Sequence, residues 1–144
     1  SPFPTSMLPF LRLLFIAIFA AMLWVTSWAS VGQPLGEFIA GPVIRDRWVV
    51  ATLFDAYFAF IAFFVWVAWK ETTLAVRVLW FIAIILWGNL AMSLYMLIEL
   101  FRISGIEDLD HVFTRRNPPR FAIPSGLTVI GVAIYTLGFW SQLK

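Results

Sequence analysis

Asp55 is the residue in this sequence whose setting most suggests chemistry. It stands in the stretch Ala51-Thr52-Leu53-Phe54-Asp55-Ala56-Tyr57-Phe58, inside a long apolar run. An ionised carboxylate at the centre of a bilayer costs about 2.5–3.5 kcal/mol on insertion scales. Such a group must be paired, protonated or turned towards water. A protonatable carboxylate in that setting suits a proton or ion relay, or a ligand site. The plainer role is glue between helices, worth about 0.6 kcal/mol per hydrogen bond. Tyr95 and Ser93 lie at a matching depth on a following apolar stretch, and Asn89 and Ser93, four apart, share a helical face. The spacing predicts an intramembrane polar seam of Asp55, Asn89, Ser93 and Tyr95.

Other polar groups carry weaker signals. Glu99 and Arg102 are three apart, as in an exposed helical ion pair, and Arg45 or Arg47 could reach Glu99 across the loops. Glu107, Asp108, Asp110 and His111 lack the spacing of a calcium or zinc site and read as a solvated face. The chain has no Cys and one His. It therefore lacks a thiolate nucleophile, a disulfide, a cysteine-ligated cluster and a bis-His haem site. No triad, phosphate loop or dinucleotide fingerprint is present. No catalytic residue and no metal ligand is assigned, and the expectation is a protein that is not an enzyme.

The elements that must position these residues follow from hydropathy. The chain has 144 residues, 62% hydrophobic and 12% charged, with a mean hydropathy of +0.90. Soluble domains have roughly 45–50% apolar and about 25% charged residues. A chain this small cannot hide so much apolar surface from water. The expected fold class is therefore all-α: a single transmembrane domain over 1–144 with about four transmembrane helices and one short interfacial amphipathic helix. The spans fall at about 8–29, 48–69, 74–103 and 125–143, and all but the third are near the 20 residues that cross a bilayer. The first could also serve as a signal peptide, with Arg12 as its charged flank and Ser27-Trp28-Ala29 as a small-x-small site. The third, at about 45 Å for thirty residues, is too long for a hydrocarbon core and must tilt or protrude. Ile106, Leu109, Val112 and Phe113 give the interfacial helix its apolar face.

Four spans place both termini on one side. Arg12 beside the first span favours a cytoplasmic N-terminus. The raw comparison of Arg12, Lys70, Arg77 and Lys144 against Arg45, Arg47, Arg102, Arg115, Arg116 and Arg120 favours the reverse. A net charge of +2 is too small to argue for nucleic acid. Arg115, Arg116 and Arg120, with Trp66 and Trp69, are candidate contacts to lipid phosphate or an acidic partner. The 8 Trp and 15 Phe suit an aromatic belt at the membrane interface, and also suit contact with a flat or polyene molecule. No cofactor is intrinsic to the residues, while bound lipid, carotenoid or quinone is compatible with them.

The segments Trp24-Val25-Thr26-Ser27-Trp28-Ala29-Ser30, Ala51 to Phe58, Phe64-Val65-Trp66-Val67-Ala68-Trp69-Lys70-Glu71 and Gly88-Asn89-Leu90-Ala91-Met92-Ser93-Leu94-Tyr95 resemble a family described only as a domain of unknown function. Its members are small bacterial integral membrane proteins, with plant relatives that look plastid-targeted. The amphipathic segment, the Arg/Pro run and the last span lie beyond the pattern of the resemblance. It implies a membrane fold and no activity. The expected function is a non-catalytic accessory or structural subunit of a larger membrane complex, respiratory or photosynthetic, in a bacterial inner membrane or an organelle membrane. The expected partners are membrane lipid and other membrane subunits. The alternatives are a small transporter or membrane enzyme using Asp55, and a binder of a hydrophobic cofactor such as a quinone or carotenoid.

Overall fold

Uninterrupted apolar sequence folds as helix in a medium without water, because each backbone amide must find its partner within its own segment. The computed structural model describes residues 3–140 and is built accordingly, with no strand among them. Helix α1 spans Met7–Gly32, α2 Leu35–Ala40, α3 Arg47–Lys70, α4 Leu74–Trp87, α5 Asn89–Phe101, α6 Leu109–Thr114 and α7 Ala122–Trp140, with one-turn 3-10 helices at Val43–Arg45 and Ile106–Asp108. Helices α1, α3 and α7 are long and apolar enough to cross a membrane. The count rises to four if α5 and the segment Ile106–Thr114, which meet at 118°, are taken as one broken span. The all-α membrane architecture expected from composition holds. The first two spans extend the expected 8–29 and 48–69 by one to three residues. The last starts at Ala122 rather than Ser125, and the end of the expected 125–143 lies outside the described residues.

The stretch 74–103 differs from the expected straight helix. It breaks at Gly88, the one position with positive φ (56°, ψ −123°) among the described residues, where a side chain would be strained. Were α4 and α5 one rod, the ends of the stretch would lie about 40 Å apart at 1.5 Å per residue. Instead the Nζ of Lys70, just before α4, is 2.7 Å from Glu99 near the end of α5, and the rings of Trp80 and Tyr95 meet at 4.9 Å. The two helices fold back on each other as a hairpin with Gly88 at its tip. A Cβ on Gly88 would lie 2.8 Å from the Phe60 ring. Phe60 is ten residues before Lys70, about 15 Å along α3, so the hairpin penetrates only about half the length of its neighbour. The chain's polarity becomes readable from this. Lys70, Arg77, Arg102, Arg115, Arg116 and Arg120 cluster at one end, where the mouth of the hairpin lies, and Arg12 joins them by donating to the carbonyls of Leu100 at 3.2 Å and Ile103 at 2.8 Å. Placing Lys70 and Arg77 opposite Arg102, as a straight third span requires, is therefore wrong.

Packing follows the hairpin. One buried cluster joins Val67, Val76, Trp80, Ala83, Ile84, Ala91 and Tyr95. A second joins Leu8, Leu100, Ile103, Ile106 and Val112 under the amphipathic segment. Helix α7 runs alongside α4, and α4 carbonyls accept from two of its hydroxyls: Thr128 donates to Leu79 and Tyr135 to Leu86, while Trp87 donates back to Leu127. Gly131 makes this approach possible, since a Cβ there would lie 2.9 Å from the Trp87 indole nitrogen. The far half, by contrast, has almost no core: no residue of α3's apolar window is buried within the chain.

Candidate functional site

The mouth of the hairpin gathers polar residues from four segments. Lys70 ends α3, Glu71 begins the turn into α4, Tyr95 and Glu99 lie one turn apart on α5, and Asn117 arrives from the extended stretch after α6. Lys70, Glu71, Glu99 and Asn117 are each at most 1% exposed. Two prolines follow Asn117 in sequence, and the residue before a proline is biased towards extended backbone. That conformation lets Asn117 form a parallel bridge with Glu71 and donate its backbone N–H to the Lys70 carbonyl at 2.7 Å. Thr72 closes the same joint by donating to the Asn117 carbonyl at 2.7 Å.

Glu99 is the electrostatic centre. Lys70 donates to its Oε2 at 2.7 Å, Arg120 to its Oε1 at 3.2 Å and the Asn117 amide to its Oε1 at 3.0 Å, with Arg102 at 3.4 Å. Lys70 also donates to the Val112 carbonyl and sits over the Trp66 ring. The Asn117 side chain is fully employed: its Nδ2 also donates to the Tyr95 hydroxyl at 3.2 Å, and its Oδ1 accepts from Arg102 at 2.6 Å. A buried charge is tolerated only when paired and hydrogen-bonded, and Glu99 satisfies both conditions.

Glu71 does not. Its Oε2 is buried with no hydrogen-bond partner, as is the Nε of Arg120. Burial pushes the Glu71 carboxyl above the ordinary carboxylate range, opposed by the Asn117 amide and the Arg120 guanidinium. Both residues line a partly open cavity of about 380 Å³ between the hairpin and the first turn of α7, whose other walls include Trp80, Tyr95, Ile98, Phe121 and Ile123.

The seam expected from sequence is not assembled. Asp55 is exposed on α3 and, among the described residues, has no hydrogen bond to Asn89, Ser93 or Tyr95. Asn89 lies exposed beside the hairpin tip, and Ser93 donates to the carbonyls of its own helix at Asn89 and Leu90. Only Tyr95 belongs to a polar network, and its partner is Asn117 rather than Asp55. The depth comparison that paired Asp55 with Tyr95 presupposed a straight helix, and the turn at Gly88 reverses α5. Glu99 and Arg102 do pair, but Glu99 is buried and its other partners are Lys70 and Arg120 rather than Arg45 or Arg47. Two of the proposed surface contacts turn inward. Arg120 reaches Glu99, and Trp66 packs on Tyr95 and donates to the Phe113 carbonyl at 3.0 Å. Arg116 stays exposed over the half-exposed Trp69 ring, and Arg115 is half-buried. Trp80, expected in the aromatic belt, is buried in the core. Among the described residues no group of acidic or His side chains could hold a metal.

No curated protein and no solved structure matches the chain. A family model described as a protein of unknown function, DUF1475, matches residues 5–118. The match extends beyond the segments that carried the resemblance in sequence, through the amphipathic segment to Asn117. It includes Lys70, Glu71, Tyr95, Glu99 and Arg102, while Arg120 and α7 fall outside it. The chain, with this charged joint almost wholly inside the matched region, belongs to the DUF1475 family of proteins of unknown function.

Proposed function

We propose that the protein is a small non-catalytic membrane subunit that works by packing against other membrane helices. The observation that carries this reading is the bare middle of α3. Asp55 stands exposed there, flanked by Phe54 and Phe58, which are 58% and 62% exposed, and no residue of the helix's apolar window is buried within the chain. A carboxylate on a spanning helix is costly against acyl chains, so a covering helix that supplies a donor relieves the cost. Large aromatic surface on the same face gives that helix apolar area to bury. The charged joint at the opposite end makes the subunit rigid enough to present this face.

The distribution of basic residues orients the subunit. The mouth of the hairpin carries Arg12, Lys70, Arg77, Arg102, Arg115, Arg116 and Arg120, whereas the opposite end of α3 carries Arg45 and Arg47. The excess of basic residues supports a mouth on the cytoplasmic side, or on the matching face of an organelle membrane. Solubilisation of the native membrane in a mild detergent, followed by sizing, tests the reading. A particle much larger than 16.4 kDa plus its micelle is expected, and Asp55→Leu, by removing the donor-seeking carboxylate, shifts its composition. A lone species insensitive to Asp55→Leu overturns the proposal.

A further inference from the structure

We propose that the cavity between the α4–α5 hairpin and the start of α7 binds the head of a quinone-type molecule: a flat, neutral ring bearing carbonyl or hydroxyl oxygens on an apolar tail. This inference does not depend on the subunit reading, which concerns the opposite half of α3.

The volume of about 380 Å³ lies within the roughly 300–1,000 Å³ of small-molecule sites. The walls are mostly apolar, as such sites are. Trp80 and Tyr95 are locked at 88° to each other and buried to 3% and 1% exposure, so the aromatic surfaces are in place before a ligand arrives. Against them lie two groups whose capacity the protein leaves unused. Glu71 Oε2 and Arg120 Nε are buried and unpartnered, whereas both Glu99 oxygens and both polar atoms of the Asn117 side chain are engaged. Leaving such atoms unmatched costs about 1–3 kcal/mol each, more when charged, and a ligand that satisfies them recovers that cost.

The pair also selects the charge of the occupant. Arg120 donates only, so the ligand must accept. A cationic head would face this guanidinium. An anionic head would face Glu71 whenever that carboxyl is ionised. A neutral oxygen avoids both conflicts. A ring carbonyl accepts from Arg120 Nε, and Glu71 accepts from a ring hydroxyl when ionised or donates to a carbonyl when protonated. The site lies where α7 begins, and Ile98 and Ile123 line it, so a tail can leave along apolar helix surface.

The test uses the full chain in mild detergent, titrated with decylubiquinone and followed by tryptophan fluorescence and thermal unfolding. Saturable quenching and a raised unfolding midpoint are expected. Glu71→Leu removes an unmatched buried carboxyl, so the ligand-free protein keeps its stability while quinone binding weakens at least tenfold. Ala122→Trp narrows the cavity from the first turn of α7 and gives the same loss of binding should Glu71→Leu not fold. Dodecanoate and dodecyltrimethylammonium serve as anionic and cationic probes. The proposal is overturned by an absence of saturable quinone binding, by quinone binding that both variants leave unchanged, or by tighter binding of either charged probe in a manner that Glu71→Leu abolishes.

Discussion

The two ends of α3 show how differently one helix can be used. At Lys70 it is enclosed by α4, α5 and the Asn117 stretch, and its terminal ammonium is fully buried against Glu99. At Trp48, 85% exposed, and Phe54, 58% exposed, the same helix is bare. The bare half carries Arg47, Thr52 and Asp55 and is the more polar in sequence, so exposure within the chain does not follow hydropathy. The difference is the hairpin, which covers one half of α3 and stops at Gly88. Packing in this molecule is thus set by where a re-entrant element ends, and the charged residues sit where it is anchored.

The contrast breaks most severely at Glu99. Glu99→Leu leaves the fully buried Lys70 and the partly exposed Arg120 without their counter-charge, and a loss of about 3–5 kcal/mol is expected, read as a lowered unfolding midpoint in detergent. Adding Lys70→Met should restore part of that loss, since the two share one interaction. If the double variant is as unstable as the sum of the singles, the pair is not the anchor. Gly88→Ala attacks the other end of the hairpin. The substituted residue would hold a positive φ and press its Cβ against Phe60, for a cost of about 1–3 kcal/mol from backbone strain alone. Gly88→Ala should also loosen protection of α5 amides to hydrogen exchange, and full retention of protection would refute the need for glycine at the tip.

A smaller effect concerns pH. The folded Glu71 carboxyl lies above its unfolded value through burial, against the pull of Asn117 and Arg120 and with Lys70 and Glu99 nearby. Its contribution to stability is present below the unfolded carboxylate range and is lost as pH rises through the raised folded value. Stability should therefore fall over that window on going to higher pH, and the slope should flatten in Glu71→Leu. The mildest change is expected in the bare half. Asp55→Asn or Phe58→Leu should alter the unfolding of the isolated chain by less than about 0.5 kcal/mol, while altering what the solubilised particle contains. A large loss of stability from either would mean that this half is packed within the chain after all.

Much of this was legible in the residues. Uncharged runs such as Leu13 to Val25 read as apolar helix, and the ends of α1 and α3 fall within a few residues of where apolar sequence stops. The turn at Gly88 is not legible in the sequence, because one glycine in an apolar run is compatible with a continuous helix. The available signal was length: a thirty-residue stretch exceeds a hydrocarbon core, and a hairpin resolves that excess as well as tilt does. A straight helix over 74–103 would place the site elsewhere. Once α5 is reversed, Glu99 rather than Asp55 becomes the carboxylate that meets the hairpin partner. Asn117 was hidden for another reason. Between two arginines and two prolines it reads as loop, and only tertiary pairing with Lys70 and Glu71 makes it a hub.

The docking of Arg12 onto the end of α5 bears on how the molecule is made. Helix α1 leaves the ribosome before its seat exists, because Arg12 docks on carbonyls at Leu100 and Ile103, synthesised some ninety residues later. At roughly 5–20 residues per second, α1 waits several seconds without its neighbour. During that interval the Arg12 guanidinium lacks the carbonyls of Leu100 and Ile103, and water or lipid headgroups must satisfy it until α5 is made.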